Sequence, residues 1–172
     1  IPSTPSLANV DAVLNQTGKE YRLKEALADM DSFDFVVMDT PPSLNIITIN
    51  ALTASDYAVI PAQADIFSLQ GITQLGQTIE AVKRYTNKDL KVLGIVLTKH
   101  NTRSILSRDL QQVITDTAIQ LHTKVYTQHI REAVAVREAQ AMKQDVFSYD
   151  PKSNATQDYD ALMKEIWKDI NQ

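Results

Sequence analysis

Phe33-Asp34-Phe35-Val36-Val37-Met38-Asp39-Thr40-Pro41-Pro42-Ser43 is the stretch on which the fold turns. Its apolar run is interrupted only by Asp34 and stops at Asp39-Thr40-Pro41-Pro42. Prolines cannot continue a central ladder, so the pattern predicts a buried strand over 33–38 that delivers one carboxylate, Asp39, to a loop. In a nucleotide-hydrolysing site such a carboxylate orients a water of bound Mg²⁺, which in turn bridges phosphate oxygens. The same pattern also serves an aspartate that only caps the next turn.

Working outward, Ser6 is placed to cap a short helix through Leu7, Val10 and Leu14. Thr17-Gly18 breaks it, and Leu23, Ala26, Leu27 and Met30 recur at helical spacing. On the other side, Ile46 to Leu52 is of helix length, and Tyr57 to Ile60 reads as a second buried strand stopped by Pro61. Ile66, Leu69, Ile72, Leu75, Ile79 and Val82 form the apolar stripe of an amphipathic helix, expected to pack into the core. Val92 to Thr98 is a third strand with Gly94 inside it. A helix through Ile105, Leu110, Ile114 and Leu121 follows, then a short strand near Val125-Tyr126, a helix over Ala133 to Met142 and an extended piece at Val146-Phe147. After the turn at Asp150 to Ser153, the last helix carries Tyr159, Leu162, Met163, Ile166, Trp167 and Ile170 on one face.

Strands that alternate with helices, and that are apolar without polar alternation, belong to a parallel sheet covered on both sides. The fold class is therefore α/β: a three-layer, mostly parallel sheet with helices on both faces, in one domain over residues 1–172. In open sheets of this kind ligands bind beyond the carboxyl ends of the strands. That rule points to Asp39-Thr40-Pro41-Pro42, Pro61-Ala62-Gln63 and Thr98-Lys99-His100.

Composition narrows the function classes. The chain has 172 residues, 44% apolar, enough for one sizeable core. Its net charge of -4 gives no global pull toward nucleic acid, so a DNA contact would need a local basic patch. The absence of cysteine rules out disulfides, cysteine-ligated zinc and iron–sulfur clusters. No apolar run nears the roughly 20 residues that span a bilayer, and Ile1-Pro2-Ser3-Thr4-Pro5 lacks the basic and apolar regions of a signal peptide. An ordinary cytosolic protein is expected. His100, His122 and His129 share no metal-ligand spacing and are not expected to be ligands. Ser43 and Thr48 have no His–Asp partners near them in sequence.

The order of motifs then carries a resemblance. Asp39-Thr40-Pro41-Pro42-Ser43-Leu44, Asn50 to Asp56, Val59-Ile60-Pro61-Ala62-Gln63, Leu69-Gln70-Gly71, Gly94 to Thr98, Arg137-Glu138-Ala139, Tyr149 to Ser153 and the closing helix over Asp158 to Ile166 together resemble the ParA/Soj partition ATPases, over essentially all of the chain. The resemblance implies a deviant Walker A P-loop fold of the ParA/MinD superfamily. It implies ATP and Mg²⁺ held in a sandwich homodimer, nonspecific DNA binding by that dimer, a ParB-like centromere-binding partner, and a cytoplasmic, nucleoid-associated location. By carry-over Asp39 is the Walker B acid, the catalytic and, through water, metal-side residue. Thr40, Pro41 and Pro42 match the switch loop behind it. Thr98 and Lys99 lie where the family strand ends near the adenine, and Ile130 and Arg131 open the loop, to Glu138, that covers the base.

Two departures stand out. The family's K-G-G-x-G-K-[ST] loop, whose backbone N–H groups and lysines hold the phosphates, has no counterpart here. Gly18, Gly71, Gly76 and Gly94 are scattered. The Asp-Pro-Gln switch is missing as well, and Ile1 to Thr4 resembles the family strand that follows both. The chain is therefore expected to begin after the phosphate loop of a longer parent and not to hydrolyse ATP by itself. The alternative is a truncated, non-enzymatic paralogue that binds DNA or a partner. Second, Ile130-Arg131-Glu132 stands where many members have Ile-Pro-Arg.

Lys99, His100, Arg103 and Arg108 form a basic cluster. Arg103, Arg108, Arg137, Lys143 and Lys152 are the candidates for DNA phosphate contact. The MinD-type cousins end in a helix with a basic face for membrane. Here the polar face holds Asp158, Asp160, Lys164, Glu165, Lys168 and Asp169, a poor match to anionic lipid, so no membrane partner is expected. The nitrogenase-iron-protein cousins need cysteines that this chain lacks.

Overall fold

The computed structural model describes residues 17–30, 32–100 and 105–171, without the side chains of 105–108. The helix expected after Ser6 lies outside the described residues. The chain divides into two compact units, 1–58 with 74–91 and 59–73 with 92–172.

In the first unit, Gly18 takes a left-handed conformation (φ 78°) and opens a 3₁₀ turn, Lys19–Tyr21, that runs into α1 (Arg22–Leu27). Glycine suits that position because it has no Cβ to clash. The next helix, α2 (Ile46–Ala54), is capped by Asn45, whose side chain accepts from the Ile47 and Thr48 amides. Buried Asn50 fastens the two helices. Its Oδ1 accepts from Leu23 N at 3.0 Å, and its Nδ2 donates to Lys19 O and Ile46 O, each at 2.9 Å.

β1 (Tyr57–Ala62) and β2 (Lys91–Leu97) form a two-stranded sheet, joined by the long helix α3 (Ile66–Tyr85). Lys91 N donates to Asp56 O, and Thr98 N donates to Ala62 O at 2.7 Å. Partners that advance together along both strands make the pair parallel, as a strand–helix–strand unit requires. β1 does not stop at Pro61 as expected. Proline lacks only its own N–H, and the bond at this point uses the carbonyl of Ala62.

The second unit continues with α4 (Ile105–Gln120), α5 (Val134–Ala141), α6 (Val146–Tyr149) and α7 (Asn154–Ile170). Parallel bridges join Ile95 to Val125 and Thr98 to Ile130, so β2 is paired along both edges. Its core gathers Val96, Tyr126, Ile130 and Leu162, with Leu93, Tyr159 and Ile166 packed against them. α7 docks through Leu162, Tyr159 and Ile166, whereas Met163 and Trp167 of the expected stripe stay half exposed. Ile72, Ile79 and Val82 of α3 are buried, but Ile66 is 68% exposed.

Two further sequence expectations fail. Residues 33–38 are not a strand, and Val37 is 93% exposed. β-Propensity reflects packing and ladder partners more than the backbone itself, and the described sheet consists of β1 and β2 alone. Val146-Phe147 is not extended but helical. Asp145 caps that turn by accepting from Ser148 N at 2.9 Å, and a local cap of this kind overrides two residues of strand propensity.

Gly94 is tied to its position by contact rather than by backbone angle. A Cβ there would meet Tyr126 Cε2 at 2.5 Å and Lys124 O at 3.2 Å. The Tyr126 ring is 1% exposed, and its hydroxyl donates to Asp169 Oδ2 at 2.9 Å, so it cannot withdraw. Gly94→Ala is expected to destabilise the chain by about 1–3 kcal/mol, as overpacked cores do, read as a lower midpoint in urea denaturation.

Candidate functional site

The expected site residues fall into both units. Asp39, Thr40, Pro41 and Pro42 belong to the first, where all four are exposed in an irregular segment before α2. Thr98, Lys99, Ile130 and Arg131 belong to the second, and there the structure brings them together at the carboxyl end of β2.

Thr98 is bridged to Ile130. Ile130 N donates to Leu97 O at 2.8 Å, and His100 N donates to Ile130 O at 3.2 Å. Both backbone groups of Ile130 are thus engaged and its side chain is in the core. Between these bonds Lys99 turns through φ 49°, a conformation uncommon for a residue with a Cβ, and its side chain is exposed. The turn lets the strand end while the chain stays fastened to 130.

The Arg131 guanidinium is clasped from α7. Its Nε donates to Asp158 Oδ2 at 2.7 Å and its Nη2 to Oδ1 at 2.8 Å, the fork-to-carboxylate geometry that makes such pairs strong. Asp158 also accepts from Arg131 N and from Gln128 Nε2, and it is only 3% exposed. Burial by itself raises the carboxyl's pKa, but the bonds and charge of Arg131, with Gln128, outweigh it and hold Asp158 below its ordinary value. The Asp158 hydrogen bond in turn raises the pKa of Arg131. Glu165 accepts from Thr127 N and Gln128 N, and Asp169 from Lys124 Nζ and Tyr126 Oη.

The polar side of the last helix is therefore not a simple solvated face. Asp158, Glu165 and Asp169 turn inward to hold segment 124–131, while Asp160 and Lys164 pair outside. The signal was present in the sequence: 158, 162, 165, 166 and 169 recur at helical spacing, so these acids share a side with Leu162 and Ile166.

Beside this clasp the structure pairs two histidines that sequence spacing had kept apart. The rings of His100 and His129 meet edge to face with centroids 4.6 Å apart. The Nδ1 atoms of both are buried without a hydrogen-bond partner. Burial first, and the neighbouring imidazole second, lower the pKa of His100. Among the described residues no group of three or more His, Cys, Asp or Glu could hold a metal.

Of the DNA candidates, Arg137 sits on α5, 3.6 Å from Glu132. Lys143 follows α5 in the left-handed conformation, φ 55°. Lys152 is exposed in the turn before α7. Arg108 lies on α4 with its side chain outside the described atoms, and Arg103 lies outside the described residues.

Removing the clasp has a defined cost. Asp158→Ala removes a buried acceptor from Arg131 and Gln128, and because the Arg131 guanidinium is half exposed and can turn to water, the loss of stability is expected to be about 1–2 kcal/mol. Because the folded carboxyl titrates below its ordinary 3.8, its contribution is present above that pH and is lost as pH falls through the folded value. Acid denaturation monitored by circular dichroism should shift accordingly, the variant losing less of its remaining stability than the parent chain as pH falls below 3.8.

Comparisons with known proteins bear on the family and the fold. The AAA domain family (AAA_31) matches residues 1–92. The chromosome partitioning protein ParA of Caulobacter vibrioides (strain NA1000 / CB15N) is 38% identical over 170 residues, covering 96% of this chain and 62% of its own length. The sporulation initiation inhibitor protein Soj of Bacillus subtilis is 39% identical over 168 residues, covering 96% and 65%. The chain thus spans a little under two thirds of these curated relatives. Among solved structures, cobyrinic acid a,c-diamide synthase from Mycobacterium smegmatis matches with a TM-score of 0.74 at 34% identity, over 97% of this chain and 62% of that one. The same protein with bound ATP analog and magnesium matches at 0.62 with 40% identity, over 67% and 47%. Apo McdA from Cyanothece gives 0.83 at 20% identity, over 96% and 67%, a likeness of fold. The fold is the α/β, P-loop NTPase-like one, with a parallel sheet and helices on both sides. The chain belongs to the AAA domain family (AAA_31), and its curated relatives are of the ParA/Soj type.

Proposed function

We propose that this chain is the part of a partition ATPase that carries the magnesium-side acid and the base-side surface of an ATP site. The observation that supports this reading is the assembly of Thr98, Lys99, Ile130 and Arg131 at the carboxyl end of a parallel strand, where ligands of open α/β sheets bind. In this reading Asp39, exposed directly before Thr40-Pro41-Pro42, holds a water of the Mg²⁺ ion. The ion, when bound, neutralises charge that develops on the phosphates. Thr98 and Lys99 present the strand end to the base. Ile130 contributes by fixing the backbone rather than by its buried side chain, and Arg131, held by Asp158, keeps the covering segment in place.

The fit to nucleotide is partial. The described residues supply exposed Asp39 and the strand-end surface, whereas the 172 residues contain no Gly-Lys loop to cradle phosphates. Hydrolysis is therefore assigned to a protein in which such a loop precedes this segment, acting as a homodimer, and not to these residues alone. Nonspecific DNA binding through Arg108, Arg137, Lys143 and Lys152, with Arg103, and stimulation by a centromere-binding partner complete the proposal.

In a protein that joins this segment to a phosphate-binding loop, Asp39→Ala should reduce ATP turnover on the order of a hundredfold with the melting temperature unchanged. Undiminished turnover would remove Asp39 from the site. For the DNA surface, Arg137→Glu should weaken binding to duplex of any sequence and shrink the log–log salt slope by roughly one, measured by anisotropy over a salt series. An unchanged slope clears that residue.

A further inference from the structure

The first unit contains a concentration of positive charge that none of the preceding roles uses. Lys24 from α1, Lys83 and Arg84 from the last turn of α3, and Lys88 from the turn before β2 line one cavity of about 370 Å³, together with Asp89. Four cations against one acid leave the cavity at +3, in a chain whose net charge is -4. The ion pairs among the described residues involve other side chains, so none of these four cations has an acidic partner there.

Helix ends explain only part of this. The negative end of the α3 dipole favours Lys83 and Arg84 in its last turn. It does not account for Lys24, which comes from another helix, or for Lys88 beyond the helix end. Four like charges with only Asp89 among them repel one another, and an anion in the cavity relieves that repulsion.

The cavity wall is also stiff. Thr86 and Asn87 both donate their amides to Val82 O. Asn87 Nδ2 donates to Leu52 O at 3.0 Å and Ser55 O at 2.7 Å. The Thr86 hydroxyl meets that of Thr53 at 2.9 Å, and Leu90, at the end of the turn, is 1% exposed. The Arg84 guanidinium lies 5.3 Å from the Tyr85 ring centre. A turn held at this many points fixes the backbone from which Lys88 projects, so that on binding only side chains need to be ordered.

We propose that this cavity is a phosphate-binding site. Several cations converging on one space suit an anion with several charged oxygens better than a single carboxylate, and the volume is that of a small-ligand pocket rather than of one ion. The phosphate belongs either to a DNA backbone or to a free polyphosphate. The first source rests on the DNA-binding reading above, and the second does not.

The test compares the full chain with Arg84→Gln/Lys88→Gln, with Lys24→Gln/Lys83→Gln, and with a control, Lys168→Gln, at an exposed position of α7. Each is titrated with sodium pyrophosphate by calorimetry and with a short duplex of arbitrary sequence over a salt series, after thermal melts establish that it folds. Pyrophosphate affinity should fall at least about fivefold in each cavity variant and not in the control. If DNA is the source, duplex affinity should fall too, with a salt slope shallower by about one per lost contact. Pyrophosphate and duplex curves that coincide for the parent chain and both cavity variants overturn the site, as does a parent chain that binds neither. Should no protein bind duplex, the DNA reading fails and pyrophosphate alone decides. Should Arg137→Glu weaken duplex binding while the cavity variants change nothing, the DNA reading stands and this site does not.

Discussion

The hydrogen bonding of β2 along both of its edges is the constraint that organises the second unit. On one side Thr98 donates to Ala62 of β1. On the other, the bridges to Val125 and Ile130 draw in a segment that has no regular strand of its own. Such a segment gains little from propensity, so something else must keep it in register. α7 does this with three carboxylates, Asp158, Glu165 and Asp169, that accept from Arg131, Gln128, Thr127, Tyr126 and Lys124. The apolar contacts of Leu162 and Ile166 on the same side of the helix supply the burial that holds these charged groups near their partners.

This arrangement links packing to the candidate site. Segment 124–131 ends at Ile130 and Arg131, and its end is fixed to Thr98 and His100. The surface proposed to meet the base is therefore set by the α7 acids, although none of them needs to touch a ligand. The His100–His129 pair lies at the same joint, with both Nδ1 atoms buried and unpaired. A buried imidazole without a partner is better tolerated neutral than charged, which agrees with the lowered pKa of His100. In the first unit Asn50 and Asn87 do the corresponding work, each satisfying carbonyls or amides of a neighbouring segment.

Where local chemistry decides, the residues were readable in advance. The α3 periodicity, the apolar run of β2, the break at Gly18 and the start of α7 at Ser153 all depend on neighbours a few positions away. The resemblance to partition ATPases was likewise legible, because it rests on the order of short motifs. Side-chain type alone suggested extended chain at 33–38 and at 146–147, and it failed in two ways. At 33–38 the described sheet offers no ladder partner, and at 146–147 the Asp145 cap makes a helical turn.

The sequence by itself determined the α/β class, the family, and the position of Asp39 before Thr40-Pro41-Pro42. It could do so because periodicity and motif order are properties of neighbours along the chain. Tertiary structure alone decided that Arg131 is committed to Asp158, that His100 meets His129, and that Lys24 joins Lys83, Arg84 and Lys88 around one cavity. Each of these pairings spans tens of residues and depends on where helices and turns come to rest. Their energies come from burial and charge in a shared space, which no local window of sequence records.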